Sequence, residues 1–297
     1  MGPGAEHRGG ARPRDRRRAR RGLLRHDLED PCRRGALPRD SRDRNRSAVR
    51  GQAVKTRRAA KREATAPLTL IAETEPRSAA SEAYRTLRTN IQFAGLDHPC
   101  RNIVVTSGTA GEGKTTSVAN FGAVCAQAGS RVCLVDSDLR RPALHRLFGL
   151  ANDGGLTKAL VEGLPFAEVA RPTHIPNLWV LPSGVLPPNP AELVGSRRMR
   201  ELLEAASSSF DLIVCDSPPV IAVSDGVALA AQCDGVILVV RAGMVSHEVL
   251  RRVADQIEAV KGIILGVLLN SVDLSRDGYS YPYYRHYQAY NGGDQKP

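Results

Sequence analysis

The sequence predicts an α/β fold, a mostly parallel sheet with helices on both faces. Two observations lead to this class. Short runs rich in Val, Ile and Leu alternate with longer helical patterns, and such runs are typical of strands that are buried on both faces of a sheet. One run is followed by a glycine-rich segment and two others end on aspartates, as expected where parallel strands reach a ligand at one edge of the sheet.

A basic segment, residues 1–66, precedes the predicted fold. Residues 1–64 hold 21 Lys and Arg against 8 Asp and Glu, a net charge of +13, whereas the rest of the chain holds 21 against 23, a net charge of −2. Because the segment is rich in Arg, Gly and Pro and has no apolar period, we expect it to be disordered. A basic arm for anionic lipid or nucleic acid and a solvated tail both fit this composition. Since the remaining chain is not basic, we expect no nucleic-acid partner.

Residues 67–272 are predicted to form one domain, whose first helix is capped by Ser78 or Ser81. Beyond it the tail, residues 273–297, lacks apolar periodicity, so we expect it to be flexible. The predicted strands are Asn102–Thr106, Val132–Asp136, Leu178–Leu181, Leu212–Asp216, Val236–Val240 and Ile263–Leu269. The predicted helices are Thr115–Ala128, Leu156–Glu162, Ser196–Ala206, Asp225–Gln232 and Ser246–Val260.

A phosphate-binding loop follows the first predicted strand and opens the next helix. Residues 108–115 fit G-x-x-x-x-G-K-[ST], in which glycines let backbone N–H groups surround phosphate oxygens and the helix N-terminus adds partial positive charge. We expect Lys114 to reach the β- and γ-phosphates and the Thr115 hydroxyl to bind Mg²⁺, which predicts a P-loop NTPase that binds ATP and Mg²⁺. The residues predicted to bind the nucleotide are Gly108, Thr109, Ala110, Gly111, Glu112, Gly113, Lys114, Thr115 and Thr116.

Asn270 follows the last predicted strand. By analogy with related P-loop folds we predict that it contacts the adenine base. The alternative is an asparagine that only forms a turn.

Three aspartates, Asp136, Asp138 and Asp216, end two further predicted strands. Because ligands bind outside the carboxyl ends of parallel strands, all three carboxylates should converge on the phosphates. Asp216 is of the Walker B type and is expected to hold Mg²⁺ through water. Asp136 and Asp138 are two residues apart, so on a regular strand they point to the same side, and one of them is expected to hold the metal while the other accepts a proton from an incoming hydroxyl. An aspartate that only caps the following turn is the alternative.

Three segments in order, SGTAGEGKTT, LVDSDLRRP and LIVCDSPPV, resemble the Walker A, Walker A′ and Walker B motifs of the bacterial tyrosine kinases. These are the CpsD/CapB/Wzc-type enzymes of capsule and exopolysaccharide synthesis. The resemblance covers about residues 67–290 and implies ATP-dependent phosphorylation of protein tyrosines. It assigns Lys114 and Thr115 to the phosphates and Mg²⁺, Asp138 and Asp216 to the metal, and Asp136 to the base.

The charged residues of the first predicted helix also resemble that family. Glu82, Arg85 and Arg88 follow the spacing E-x-x-R-x-x-R, which places them on roughly one helix face. The resemblance implies that these residues join neighbouring subunits in a ring-like homo-oligomer. An ordinary solvated face is the alternative.

Membrane attachment is expected to come from a partner. The sequence has no run of 18 or more apolar residues, and its six cysteines form no CxxC pair, a pattern typical of reduced thiols in a cytosolic protein. Many family members fuse the kinase to a membrane-spanning chain-length regulator, whereas this sequence resembles the split arrangement. We therefore expect a cytoplasmic protein at the inner face of the membrane, bound to a separate transmembrane activator.

Six of the seven tyrosines lie within residues 279–290. Core packing would scatter them, so we predict a cluster of phosphate acceptors; a stacking platform for nucleic acid and a sticky low-complexity segment are alternatives. We expect the kinase to phosphorylate this cluster in trans within an oligomer and to regulate exopolysaccharide or capsule synthesis, with proteins of polysaccharide synthesis as further substrates. The predicted acceptors are Tyr279, Tyr281, Tyr283, Tyr284, Tyr287 and Tyr290.

Two other functions share these motifs. A ParA/MinD-type ATPase switch has the same predicted fold, but that group carries an extra lysine early in the loop, where this sequence has Thr109. A non-catalytic, nucleotide-gated regulator of polysaccharide export is the second alternative, against which the intact Asp136, Asp138 and Asp216 argue.

Overall fold

The computed structural model describes residues 70–95 and 100–272. The predicted N-terminal segment 1–66 and the tail 273–297 lie outside these residues. Within the described part, seven strands form a sheet in the order β3-β4-β2-β5-β1-β6-β7. The strands are β1 Asn102–Ser107, β2 Val132–Asp136, β3 Arg171–Pro172, β4 Leu178–Leu181, β5 Leu212–Asp216, β6 Gly235–Arg241 and β7 Ile264–Asn270.

The sheet is parallel except at one edge. All pairs from β4 through β7 are parallel, and only the two-residue strand β3 runs antiparallel to β4. The prediction of a mostly parallel sheet is therefore confirmed. Pro172 is tolerated in β3 because an edge strand leaves one side of its backbone unpaired.

Ten helices surround the sheet in the described residues. The helices are α1 Ile71–Thr74, α2 Ala79–Ala94, α3 Lys114–Gln127, α4 Leu144–Leu147, α5 Leu156–Glu162, α6 Phe166–Val169, α7 Pro190–Val194, α8 Arg197–Ala206, α9 Asp225–Ala230 and α10 His247–Ala259. Helix α2 is capped by Ser78, whose hydroxyl accepts the N–H of Ser81 at 3.2 Å, so the first of the two predicted caps forms. The short helix α1, which precedes it in the domain, was not predicted.

Each face of the sheet has its own apolar core. In β1, Ile103 and Val105 belong to one core, which helices α1 to α4 complete, while Val104 belongs to the other, which helices α5 to α10 complete. Strands β2 and β5 are buried throughout, and β1 is buried after Asn102, because helices cover both faces. This burial explains the nearly continuous apolar sequences of the three strands. No helix among the described residues is long and apolar enough to cross a membrane.

Candidate active site

The P-loop lies where β1 passes into α3, at the carboxyl edge of the sheet. Gly111 and Gly113 take φ values of +84° and +93°, a left-handed region that favours glycine. A Cβ at Gly113 would lie 2.1 Å from Nδ2 of Asn270, so no other residue fits there without a shift. The backbone conformation of the loop therefore requires glycine at positions 111 and 113.

Lys114 begins α3 and is buried, with Nζ donating to the Ser107 hydroxyl at 3.1 Å. Burial lowers the pKa of Lys114, while the negative charges of Asp216, Asp138 and Glu112 oppose that shift. These acidic neighbours hold an ammonium group beside the loop, where a nucleotide phosphate would lie.

Asp136 and Asp216 end two neighbouring strands and lie directly opposite each other in the register of β2 and β5. Both are buried, and Oδ1 of Asp136 and both carboxylate oxygens of Asp216 make no hydrogen bond within the described residues. Burial raises the pKa of Asp216 to about 8, the nearby charge of Asp136 adds to the shift, and the Thr115 hydroxyl and Lys114 oppose it. Buried carboxylate oxygens without donors call for a cation or a proton.

Asp138 differs from its predicted placement on the strand. Strand β2 ends at Asp136, so Asp138 lies in the following turn, and strand alternation does not set its direction. Its Oδ1 accepts the N–H groups of Arg140 and Arg141 at 3.2 and 2.9 Å, which makes it a turn cap as well. Asp138 still lies close enough to raise the pKa of both Asp136 and Asp216 by its charge.

These oxygens fit Mg²⁺. The ion prefers hard oxygen donors and keeps several waters, so a site of carboxylates, one hydroxyl and phosphate oxygens suits it better than a cage made of protein alone. Among residues 70–95 and 100–272, no group of three or more His, Cys, Asp and Glu side chains forms such a cage. Thr115, Asp138 and Asp216 are the residues that would hold the ion.

Comparison with known proteins decides the family. The family model AAA_31, an AAA domain, matches residues 100–266. The tyrosine-protein kinase YwqD of Bacillus subtilis is 40% identical to this chain over 72% of the chain and 90% of its own length. The chain belongs to the bacterial tyrosine-protein kinases. The predicted resemblance is thereby confirmed.

Solved structures agree with this family. The kinase domain of the Escherichia coli tyrosine kinase ETK matches this kinase with a TM-score of 0.68 and 33% identity, over 76% of this chain and 89% of that one. The chimerical protein CapA2B2 matches with a TM-score of 0.65 and 35% identity, over 68% and 89%. The cell division ATPase MinD of Pyrococcus furiosus has a TM-score of 0.51 and 25% identity, over 57% and 71%, so the P-loop NTPase fold is shared with the ATPase switches.

The kinase carries a buried carboxylate inside its P-loop whose role the sequence did not reveal. Glu112 is fully buried; its Oε1 accepts the N–H and the hydroxyl of Thr109, and its Oε2 accepts the N–H of Arg241 at 3.2 Å. The carboxylate thus ties the start of the loop to the end of β6. An acidic residue within a loop that binds anions was the signal available in the sequence.

Asn270 also serves the loop. Its Nδ2 donates to the carbonyl of Glu112 at 2.9 Å, and its Oδ1 accepts the N–H of Ser271 at 2.8 Å. Both polar atoms of the amide are therefore engaged within the chain in this structure, as in the turn alternative. Contact with adenine stays a prediction.

Glu112→Gln should weaken the P-loop of the kinase. The amide nitrogen of glutamine has to face either the N–H and hydroxyl of Thr109 or the N–H of Arg241, so at least one partly buried donor loses its acceptor. We expect a loss of about 1–3 kcal/mol in the free energy of unfolding and weaker binding of Mg-ADP. Denaturant titration and calorimetric ADP titration measure the two effects. Glu201→Gln, in an exposed pair with Arg197, is the matched control, and equal behaviour of the two variants would contradict this role.

The predicted oligomerisation residues make contacts within their own chain. Arg85 pairs with Glu82 at 2.8 Å and also donates to the carbonyl of Pro76 at 2.6 Å. Arg88 faces α3, with Nη1 at 3.4 Å from the carbonyl of Val124 and a buried Nε that has no hydrogen-bond partner in the described residues. Their role between subunits stays a prediction, as do the six tyrosine acceptors, which lie outside the described residues.

Two further interactions were not foreseen from the sequence. Arg140, in the turn after β2, makes a bidentate pair with the fully buried Asp225 at the start of α9, at 2.9 and 3.0 Å. His145 on α4 lies beside Asp136. No sequence pattern links Arg140 to Asp225, 85 residues away. His145 follows Asp136 closely, but only the path of the turn decides that it folds back.

Proposed function

We propose that this kinase transfers the γ-phosphate of ATP to tyrosines in the C-terminal segment of a neighbouring copy. One observation carries the proposal. Asp136 and Asp216 are adjacent in register at the carboxyl edge of the sheet, next to the P-loop lysine, and three of their four carboxylate oxygens accept no hydrogen bond from residues 70–95 or 100–272. Positioning and charge are what phosphoryl transfer requires of a protein, and this edge supplies both.

Each residue has a role in that reaction. Lys114 neutralises charge on the β- and γ-phosphates, and the backbone N–H groups of residues 108–116 surround the phosphate oxygens. Thr115, Asp138 and Asp216 would hold Mg²⁺, which would neutralise charge on the phosphates and orient them when bound.

Asp136 is the base in this proposal. Its Oδ1 has no donor, whereas its Oδ2 accepts the N–H groups of Ala143 and Leu144 at 3.1 and 3.0 Å. The tyrosine oxygen forms a bond to the γ-phosphorus, the bond from that phosphorus to the bridging oxygen of ADP breaks, and the phenolic proton passes to Oδ1 of Asp136. Atoms and charge balance without another reactant.

The tyrosine cluster supplies the acceptors. An extended chain from residue 273 to residue 290 reaches roughly 60 Å. A folded domain of about 230 residues has a radius of gyration of about 17 Å. The segment is thus long enough to enter the active site of a neighbour in a ring, whose contacts Glu82, Arg85 and Arg88 would make. Each phosphate adds about −1.5 to −2 charges, so several of them would repel one another and open the ring.

A mixing experiment tests transfer between copies. A Lys114→Met variant with its tyrosines intact is combined with an active variant in which the six clustered tyrosines are phenylalanine. We expect phosphotyrosine on the Lys114→Met chain, because its tail enters the active site of the other variant. Sedimentation should then show smaller species as phosphate accumulates. Phosphotyrosine that forms only in the unmixed wild type would contradict transfer between copies.

The same assay separates the alternatives. Free phosphate without phosphotyrosine would indicate the ParA/MinD-type ATPase switch, whose fold this chain shares, and the absence of both would indicate a non-catalytic regulator. The assay includes the cytoplasmic segment of a transmembrane activator, since we propose that such a partner holds the kinase at the inner face of the membrane. The pathway in which it acts is, by its family, capsule or exopolysaccharide synthesis.

A further inference from the structure

The two oxygens of the Asp136 carboxylate have different surroundings. Oδ2 faces the start of α4 and accepts two backbone N–H groups, from Ala143 and Leu144. Oδ1 is buried and has no hydrogen-bond partner in the described residues. A carboxylate turns about a single bond, so whatever holds Oδ2 also decides the direction of Oδ1.

His145 is the next residue of the first turn of α4, and its imidazole lies beside the same oxygen. Its Nδ1 lies 3.9 Å from Oδ2 of Asp136, and its side chain is 16% exposed. Nδ1 itself is buried and makes no hydrogen bond among the described residues. A buried ring nitrogen without a partner costs free energy, so a neighbouring acceptor should attract it, and Asp136 is the carboxylate recorded within ion-pair distance.

We propose that His145 is a positioning residue for Asp136. In this role His145 holds Oδ2 of Asp136 so that Oδ1 faces the acceptor hydroxyl. This inference rests on the proposed function, in which Oδ1 takes the phenolic proton. The gap between 3.9 Å and a hydrogen bond is on the order of 1 Å. A small turn of the imidazole with a proton on Nδ1 closes it, and Oδ2 then accepts three donors from consecutive residues of one turn.

The charges around this pair belong to the site itself. The carboxylate of Asp138 faces Asp136 from the same turn, that of Asp216 faces it from β5, and Lys114 lies near Asp216 and Asp138 from α3. Repulsion by the two carboxylates favours rotation of Asp136 away from them. A donor from His145 at Oδ2 would add to the two backbone N–H groups that keep the carboxylate in its present orientation.

Two substitutions at one position test the proposal. His145→Asn places an amide nitrogen close to the position of Nδ1, whereas His145→Leu has a similar size and no donor. We expect kcat for tyrosine phosphorylation to fall roughly tenfold or more in His145→Leu, because a misplaced base loses its near-attack geometry. His145→Asn should retain most of kcat, and the KM for ATP should be unchanged in both.

A control and a second background complete the test. His174→Leu, at a histidine that is 58% exposed and pairs with Glu73, should leave kcat unchanged. In an Asp136→Asn background, His145→Leu should not reduce the residual transfer further. Equal losses in His145→Asn and His145→Leu, or a further loss in the Asp136→Asn background, would overturn the positioning role. If Asp136→Asn itself keeps full activity, Asp136 is not the base. This outcome differs from those that overturn the role of His145, so failure of the proposed function and failure of the positioning role can be distinguished.

Discussion

Asp136→Asn should bind Mg-ATP as the unmodified kinase does and lose phosphoryl transfer. The carbonyl oxygen of the asparagine replaces Oδ2, since it accepts the N–H groups of Ala143 and Leu144. The amide nitrogen then occupies the position of Oδ1, where it cannot accept a proton. We expect kcat to fall by about 10²–10⁴-fold, the contribution typical of a positioned general base. Quenched-flow transfer of labelled phosphate and calorimetric titration with a non-hydrolysable ATP analogue measure the two quantities.

A matched control separates this effect from a simple change of charge. Asp255 lies on the exposed side of α10, so Asp255→Asn removes the same charge away from the site. It should leave both kcat and ATP affinity unchanged. Transfer at more than about a tenth of the normal rate in Asp136→Asn would show that another group, or the phosphate itself, takes the proton.

Arg140→Met should destabilise the domain, because it leaves the carboxylate of Asp225 buried without its partner. Asp225 is fully buried, and within the described residues its carboxylate accepts two hydrogen bonds, both from the guanidinium of Arg140. Loss of one partner of a buried pair typically costs about 3–5 kcal/mol. Arg140 is itself 41% exposed, so water weakens the pair, and we expect a loss of about 2–3 kcal/mol in the free energy of unfolding by urea.

Two variants check this interpretation. Arg141 is the exposed neighbour of Arg140, and Arg141→Met should change the free energy of unfolding by less than about 0.5 kcal/mol. Adding Asp225→Asn to Arg140→Met removes the unpaired charge and should recover part of the loss, which a double-mutant cycle measures. Additive effects of the two substitutions would contradict a direct pair. The pair also matters for the candidate active site, because Arg140 links the turn that contains Asp138 to α9.

Most of the sheet could be predicted because its signals are local. Val132–Asp136, Leu178–Leu181 and Leu212–Asp216 were predicted with the bounds that the structure shows, since buried parallel strands are short apolar runs with polar ends. The helix caps Ser78 and Ser196 follow equally local rules. Strand β3 could not be predicted, because two residues with a proline form a strand only where β4 offers an edge.

The sequence by itself determined the class of the protein and the members of its site. A P-loop before a helix, with aspartates at the ends of neighbouring apolar runs, is enough to bring Lys114, Asp136 and Asp216 to one edge, because parallel strands all end on the same side. Periodicity and turn chemistry act over a few residues, so they can be read along the chain.

Only the tertiary structure decided how those side chains are held. The strand register sets Asp136 opposite Asp216, and the Arg140–Asp225 pair joins the turn after β2 to α9. The burial that raises the pKa of Asp216 likewise comes from residues that are distant in the chain. The same holds for Glu112, whose carboxylate reaches Arg241 at the end of β6. Such contacts depend on the packing of whole elements against each other, and no spacing within one segment encodes them.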